Sequence, residues 1–420
     1  MKKSTTSTIR DPTSQCTTEM PRVLEFIRRH EKWRLEDCIN LIASENVTSE
    51  AARRILASDF GHRYTLPLNT DIHGVFVENA YRGTRYIDRV ESYGESIAQE
   101  IFECGFSSLK PLSGHLSSIL LVLSCCRKGE TIMPIRPEDG GYDGYAPEYI
   151  PRILGLECEY LPFDSATGNI DYDIAAERIR DVSPSLVVIG ASFFLFPYDL
   201  KRLREACDDS GARLGYDASH VLGLIAGGEF QRPFKEGVDI VIGSTHKSFF
   251  GPQGGIFLTD EEDLFNEAKR NIKWRLVDNA HWNRIAALTL ALEETREFGR
   301  AYASQCVRNA LALARQLHEN GIPVKHENEG FTRSCQVLLD GDRIQSELGL
   351  TMNDLAIMLE KSNIIIDAVG RMGVSEATRL GANEAHMREL ASLISRCVSG
   401  EDVSGEVKTL RSSLSITFCF

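Results

Sequence analysis

Lys247 stands just past an apolar run in the stretch "VDIVIGSTHKSFFGPQGG" (238–255). A lysine at the mouth of a strand, among Gly, Ser and Thr, has room beside it for a second molecule. Burial and neighbouring cations lower an amine's pKa and keep it nucleophilic, so a lysine so placed can condense with a carbonyl. Alone it carries little weight, because most lysines are simply solvated. Asp217 closes the preceding predicted strand and is followed by Ala218, Ser219 and His220. Its carboxylate suits a ring nitrogen that must stay protonated, although an aspartate at a strand end can equally cap a helix. A third element is "KPLSGHLSSILLVLSCC" (110–126), in which Ser113, Gly114 and His115 open an apolar helix. The free N–H groups and positive dipole end of such a helix suit a phosphate, while Ser-Gly there is also an ordinary N-cap. An amine, a carboxylate and a phosphate cradle together are the protein's contribution to a pyridoxal phosphate site.

These residues need a scaffold that brings them to one edge. Between about residues 110 and 260, short β-branched runs alternate with helical patterns: "SLVVIGAS" (185–192), "DLKRLREACDDSG" (199–211), "ARLGYDASH" (212–220) and "VDIVIGSTHK" (238–247). That alternation predicts an α/β domain with a largely parallel sheet, in which ligands gather where strands end. Ser192, Asp217 with His220, and Lys247 fall at three consecutive strand ends. A long helical pattern over 283–320 ends at Gly321 and leads to a smaller region. There "RSCQVLLD" (333–340) and "NIIIDAV" (363–369) read as strands and "EAHMRELASLISRCV" (384–398) as a helix.

Composition narrows the classes of function. The chain has 420 residues, 42% hydrophobic and 25% charged, as in a soluble globular protein of two or three domains. A net charge of -13 and no Lys/Arg block argue against nucleic acid as a partner. The eleven cysteines are scattered without CxxC spacing, so no metal is expected and a reducing, cytoplasmic setting is. No apolar run is long enough to span a bilayer, so no membrane partner is expected. The first twenty residues are polar and Ser/Thr-rich and read as a disordered tail.

"LIASENVTSEA" (41–51), "DASHVLGLIAGG" (217–228) and "GSTHKSFFGPQGG" (243–255) resemble serine hydroxymethyltransferase, particularly its archaeal branch. The resemblance runs in order from about residue 38 to about 395. It implies a fold-type I pyridoxal phosphate enzyme with a mostly parallel seven-stranded sheet and a smaller α+β C-terminal domain. The expected division is an N-terminal tail and arm at 1–37, a cofactor-binding large domain at 38–300 and a small domain at 301–420. The resemblance makes Lys247 the Schiff-base lysine, flanked by Ser244 and His246, and Asp217 the partner of the pyridine nitrogen. It places His220 near the cofactor's phenolic oxygen, Ser113, Gly114 and His115 around its phosphate, and Ser192 on the preceding strand. Ser44, in the "SEN" motif, falls near the amino-acid substrate, as do Tyr64 and Tyr81. Arg371, in "GRMGVSEATRLG" (370–381), aligns with the arginine that grips the substrate carboxylate, and Arg379 is the competing candidate. A planar guanidinium suits that task because it can pair with both oxygens.

Four departures from the family pattern bear on function. The family's Tyr-x-Glu, whose glutamate moves a proton, reads Tyr64-Thr65-Leu66, and Glu78 in "GVFVENAYRG" (74–83) is the candidate replacement. The long loop that touches the pterin is reduced to "NIIIDAVGR" (363–371). The ring-stacking histidine of a Gly-Gly-His is replaced by Tyr142 in "DGGYDGY" (139–145), which keeps an aromatic face. The glycine-rich stretch that reaches the neighbouring subunit's phosphate reads "RLVDNAHWNR" (275–284), where His281 or Asn279 are candidates. The resulting expectation is a homodimer with sites at the interface, working on an amino acid and an aldehyde by aldol cleavage or transfer. Tyr64, His246 and Glu78 are the candidate proton movers, and tetrahydrofolate is not expected to be required. The alternatives are a genuine hydroxymethyltransferase using tetrahydrofolate or another pterin, and a non-catalytic family member.

Overall fold

The computed structural model describes residues 21–420, so the stretch read as a tail, residues 1–20, lies outside the described residues. Its centre is a seven-stranded sheet of β1 (Phe106–Ser108), β2 (Thr131–Pro134), β3 (Glu157–Cys158), β4 (Leu186–Gly190), β5 (Arg213–Asp217), β6 (Ile240–Ser244) and β7 (Gly255–Thr259). The spatial order is β1-β7-β6-β5-β4-β2-β3. Neighbours from β3 through β6 pair in parallel, and β7 runs antiparallel to both β6 and β1. All five positions of β4, β6 and β7 are buried, which is why those runs read as unbroken apolar stretches rather than alternating ones.

Helices cover the sheet: α1 (Arg85–Phe102), α2 (Gly114–Cys125), α3 (Tyr172–Val182) and α4 (Leu200–Ser210). Asp171 and Asp199 cap α3 and α4 by accepting the N–H groups of Ile174 and Arg202. Helix α2 packs on β6 and β7, and its burial explains a sequence that is apolar almost all round.

Helix α5 (Trp282–Glu319), 38 residues long, is continuous across residue 300 and packs against α1 and against α6 (Glu384–Val398). Near its start Arg284 donates to the Leu109 and Lys110 carbonyls, just before the cradle. Further along, the Tyr302 hydroxyl donates to the carbonyls of Ser248 and Ser375. Asn309 then donates to Thr378 and to the Ala382 carbonyl.

The C-terminal region contributes a two-stranded ladder, Gln336–Leu338 against Arg371–Gly373, with Leu338 opposite Arg371. The segment 363–369 is a strand only at Ile364–Ile365, where it pairs in parallel with Ile39–Asn40. Beyond Ile365 the chain must turn into the arginine strand, and Asp367 accepts the N–H groups of Val369 and Arg371 to make that turn. No helix of the described residues is long and apolar enough to cross a membrane.

Candidate active site

A cavity opens where β4, β5 and β6 end, lined by residues that include His115, Ser118, Tyr142, Ser192, Asp217, His220, Ser244 and Lys247. Strand register explains the grouping, because Asp217 lies beside both Gly190 and Ile242 in neighbouring strands. The Lys247 amine lies 3.2 Å from His220 Nε2. Burial holds that amine down at about 8, with the Arg371 charge adding to the effect and the Asp217 carboxylate opposing it. Asn46, in the "SEN" motif, donates to the Lys247 carbonyl at 2.7 Å and fixes the loop that carries the lysine.

Asp217 is buried and accepts four hydrogen bonds. One oxygen takes the Tyr145 and Ser118 hydroxyls at 3.1 and 3.2 Å. The other takes the Ser219 N–H and hydroxyl at 3.0 and 2.6 Å. Among the described residues it forms no ion pair within 4.0 Å, so a buried carboxylate faces the cavity held by hydrogen bonds alone.

Ser113 caps α2 by accepting the Leu116 N–H, leaving the Gly114 and His115 amides at the helix mouth without intrahelical partners. A side chain at position 114 would put its Cβ 2.0 Å from the Ser244 hydroxyl, so only glycine lets the cradle backbone come this close to β6. Tyr142 donates or accepts at His115 Nδ1 over 2.9 Å and packs edge-on against Tyr145. Burial, then the Asp217 charge, pushes the Tyr142 phenol up to about 12.

Arg371 enters from the C-terminal ladder. Its Nε donates to Asp367 at 3.0 Å and its Nη1 to the Ser192 carbonyl at 2.9 Å, which leaves the end of the fork for a second carboxylate. Arg379 is placed differently: fully buried, it pairs with Glu294 at 2.6 Å and lies 3.8 Å over the Phe250 ring. Its charge is already spent inside the core.

The remaining candidates do not line this cavity. His246 is half-buried beside Lys247, accepts the Gly254 N–H at Nδ1 and is held down at about 4 by burial and the Lys247 charge. Ser44 is half-buried in the loop next to the arginine strand, where the Gly373 N–H donates to the Leu41 carbonyl. Tyr64 and Tyr81 are exposed with ring centroids 5.9 Å apart, and Glu78 is exposed on a hairpin of Pro67–Ile72 and Val75–Asn79. None of these three lines the Lys247 cavity of its own chain. Asn279 is half-buried and carries an amide oxygen without a partner, while His281 has a positive φ of 54° just ahead of α5.

The serine hydroxymethyltransferase family model matches residues 17–394 of the sequence. The chain belongs to the serine hydroxymethyltransferase family. Relatives bearing that name include a protein of Korarchaeum cryptofilum, 38% identical over 93% of this chain and 94% of its own length. Another, from Methanopyrus kandleri, is 39% identical over 92% of this chain and 90% of its own. Among solved structures, L-threonine transaldolase from Pseudomonas fluorescens superposes with a TM-score of 0.86 at 27% identity, covering 95% of this chain and 93% of that one. The fold is accordingly that of a fold-type I pyridoxal phosphate transferase, and the enzyme class is the hydroxymethyltransferase/aldolase type that depends on this cofactor.

The residues present fit pyridoxal phosphate. Open amides at Gly114 and His115 suit its phosphate, and the unpaired buried carboxylate of Asp217 suits a protonated ring nitrogen. A lysine amine lowered to about 8 suits its carbonyl. Sequence reasoning missed Ser118, Tyr145, Asn46, Asp367 and Gln336. Ser118 alone was within reach, four residues after Gly114 and so on the same face of α2. Asn46 also lay in the quoted "SEN" motif and Tyr145 in "DGGYDGY", but their partners sit 201 and 72 residues away in the chain, and Asp367 and Gln336 carry no motif.

Proposed function

We propose that the protein breaks or forms the Cα–Cβ bond of a β-hydroxy amino acid, releasing or exchanging an aldehyde, without tetrahydrofolate. The observation that carries this reading is the tight turn between Asn363 and Arg371. Where the family has a long loop against the pterin, this chain has a short turn whose Asp367 is bonded to Arg371. Leu66 supports it from the other side, since a hydrocarbon stands at the position of the family's proton-moving glutamate.

Lys247 is the residue to hold the cofactor covalently, Ser113, Gly114 and His115 to receive its phosphate, and Tyr142 to face its ring. Bound there, pyridoxal phosphate supplies an electron sink for the pair left on Cα when the Cα–Cβ bond breaks. Asp217, desolvated and held by four donors, keeps a ring nitrogen protonated. Arg371 orients the amino acid through its carboxylate, with Asp367 and the Ser192 carbonyl fixing the guanidinium plane. As the aldehyde leaves, the β-hydroxyl proton must pass to a base. Tyr64, Glu78 and Tyr81, exposed and away from their own chain's cavity, support a homodimer in which each copy completes the other's site.

Hydroxymethyl transfer to tetrahydrofolate is the second reading, favoured by the name carried by relatives 38 and 39% identical to this chain. Cleavage of L-serine, L-threonine and phenylserine by the cofactor-loaded protein, with and without tetrahydrofolate, separates the two. The aldol reading predicts glycine and aldehyde from the bulkier substrates at a rate indifferent to folate. Serine cleavage that depends strongly on folate overturns it.

A further inference from the structure

We propose that Gln336 fixes the tautomer of His220, holding the ring proton on Nε2, so that the imidazole faces the unprotonated Lys247 amine as a hydrogen-bond donor. Neutral imidazole carries one proton on either nitrogen, and its partners decide which. The decision here rests on two backbone groups of fixed polarity. The Phe194 N–H can only donate, and it donates to the Gln336 amide oxygen at 2.8 Å. The Ser192 carbonyl can only accept, and it takes the Gln336 amide nitrogen at 3.2 Å. Both set the amide the same way round, with its NH2 group also 2.9 Å from His220 Nδ1. Nδ1 therefore accepts, and the proton belongs on Nε2, the atom 3.2 Å from the Lys247 amine.

The surroundings keep the ring neutral, so the tautomer is a fixed property rather than one state of a titration. His220 is buried, and that burial together with the Lys247, Arg371 and His246 charges places its pKa well below the usual value. The ladder explains how Gln336 reaches this spot. Leu338 lies opposite Arg371 and Gln336 opposite Gly373, which puts Gln336 and Arg371 on one face. Both then bond the Ser192 carbonyl. One backbone oxygen thus holds the substrate arginine and the residue that orients the histidine. Gln336 is a positioning residue, and its consequence is that His220 donates toward the cofactor pocket and does not take up a proton at Nε2.

The test needs no turnover. In the cofactor-free protein labelled with 15N-histidine and held at about pH 9.5, where the Lys247 amine is unprotonated, the His220 Nδ1 resonance is expected in the pyridine-like range and Nε2 in the pyrrole-like range with an attached proton. Gln336→Glu puts a carboxylate oxygen, which cannot donate, against Nδ1 and is expected to move the proton there. The same variant is expected to bind pyridoxal phosphate about tenfold more weakly. A wild-type spectrum with the proton on Nδ1 overturns the proposal. So does a folded Gln336→Glu protein whose Nδ1 stays pyridine-like. If that variant does not fold, the wild-type spectrum decides alone.

Discussion

The cavity at Lys247 and the hairpin of Pro67–Ile72 and Val75–Asn79 are built on opposite plans. In the cavity the working groups are held from behind. Asp217 has four donors, His220 has Gln336, and Arg371 has Asp367 and the Ser192 carbonyl. On the hairpin Val75 and Phe76 are 64% and 63% exposed, and Tyr64 beside it is 49% exposed. Those hydrogen bonds in the cavity are all made within one chain. The hairpin offers apolar and aromatic surface that the other described residues do not cover, an arrangement suited to contact with a second copy. Under the proposed function, the chemistry common to pyridoxal phosphate enzymes would fall to the cavity, the finished region, and the choice of aldehyde to the hairpin, the unfinished one.

The largest expected effect breaks the finished region. Lys247→Ala should cut amino-acid cleavage by more than about a thousandfold and abolish covalent capture of the cofactor, seen as loss of borohydride-fixed label on the peptide. In the unaltered protein, the rate of capture should rise with pH up to about 8 and level off above it, because the free amine is the reactive form. The sign for stability follows from the same depression. Between about 8 and the ordinary 10.5 the unfolded chain holds more protons at this site than the folded one. The cofactor-free protein should therefore gain stability as pH rises through that window, and Lys247→Met should remove the gain.

Next in size, Arg371→Lys replaces a fork with a point charge and should raise the KM for the amino acid about tenfold while changing kcat less. An unchanged KM would mean that the substrate carboxylate is gripped elsewhere. The smallest effect sharpens the comparison from the hairpin side. Replacing Phe76 with Ser should leave the cofactor's absorption spectrum intact and shift preference between small and bulky aldehydes only a few-fold. A lost spectrum would show that the hairpin belongs to the finished region after all.

The two regions were also unequally legible in the sequence. Lys247, Asp217 and Ser113–Gly114–His115 could be read because each follows a strand or opens a helix, and strand ends converge in a parallel sheet. On sequence alone Arg371 was preferred over Arg379 only by its offset to "TRLG", since both are arginines in one motif. Burial separated them, through a Glu294 partner that lies 85 residues from Arg379 in the chain. Gln336 was illegible for the same reason, lying 116 residues from the histidine it contacts. The hairpin's segment was visible as an insertion, but its residues do not spell out what they meet.

The helix Trp282–Glu319 works as a ruler. At about 1.5 Å per residue it is about 57 Å long, and three stations along it index the phosphate cradle, the lysine loop and the region around Thr378 to one another. Adding one residue between Arg284 and Tyr302 would rotate the later stations by about 100° against the first. The cradle and the lysine loop would then face different directions. An extra residue in the exposed turn at His73–Gly74 meets no such constraint. Length is therefore fixed by packing in one place and free to drift in the other.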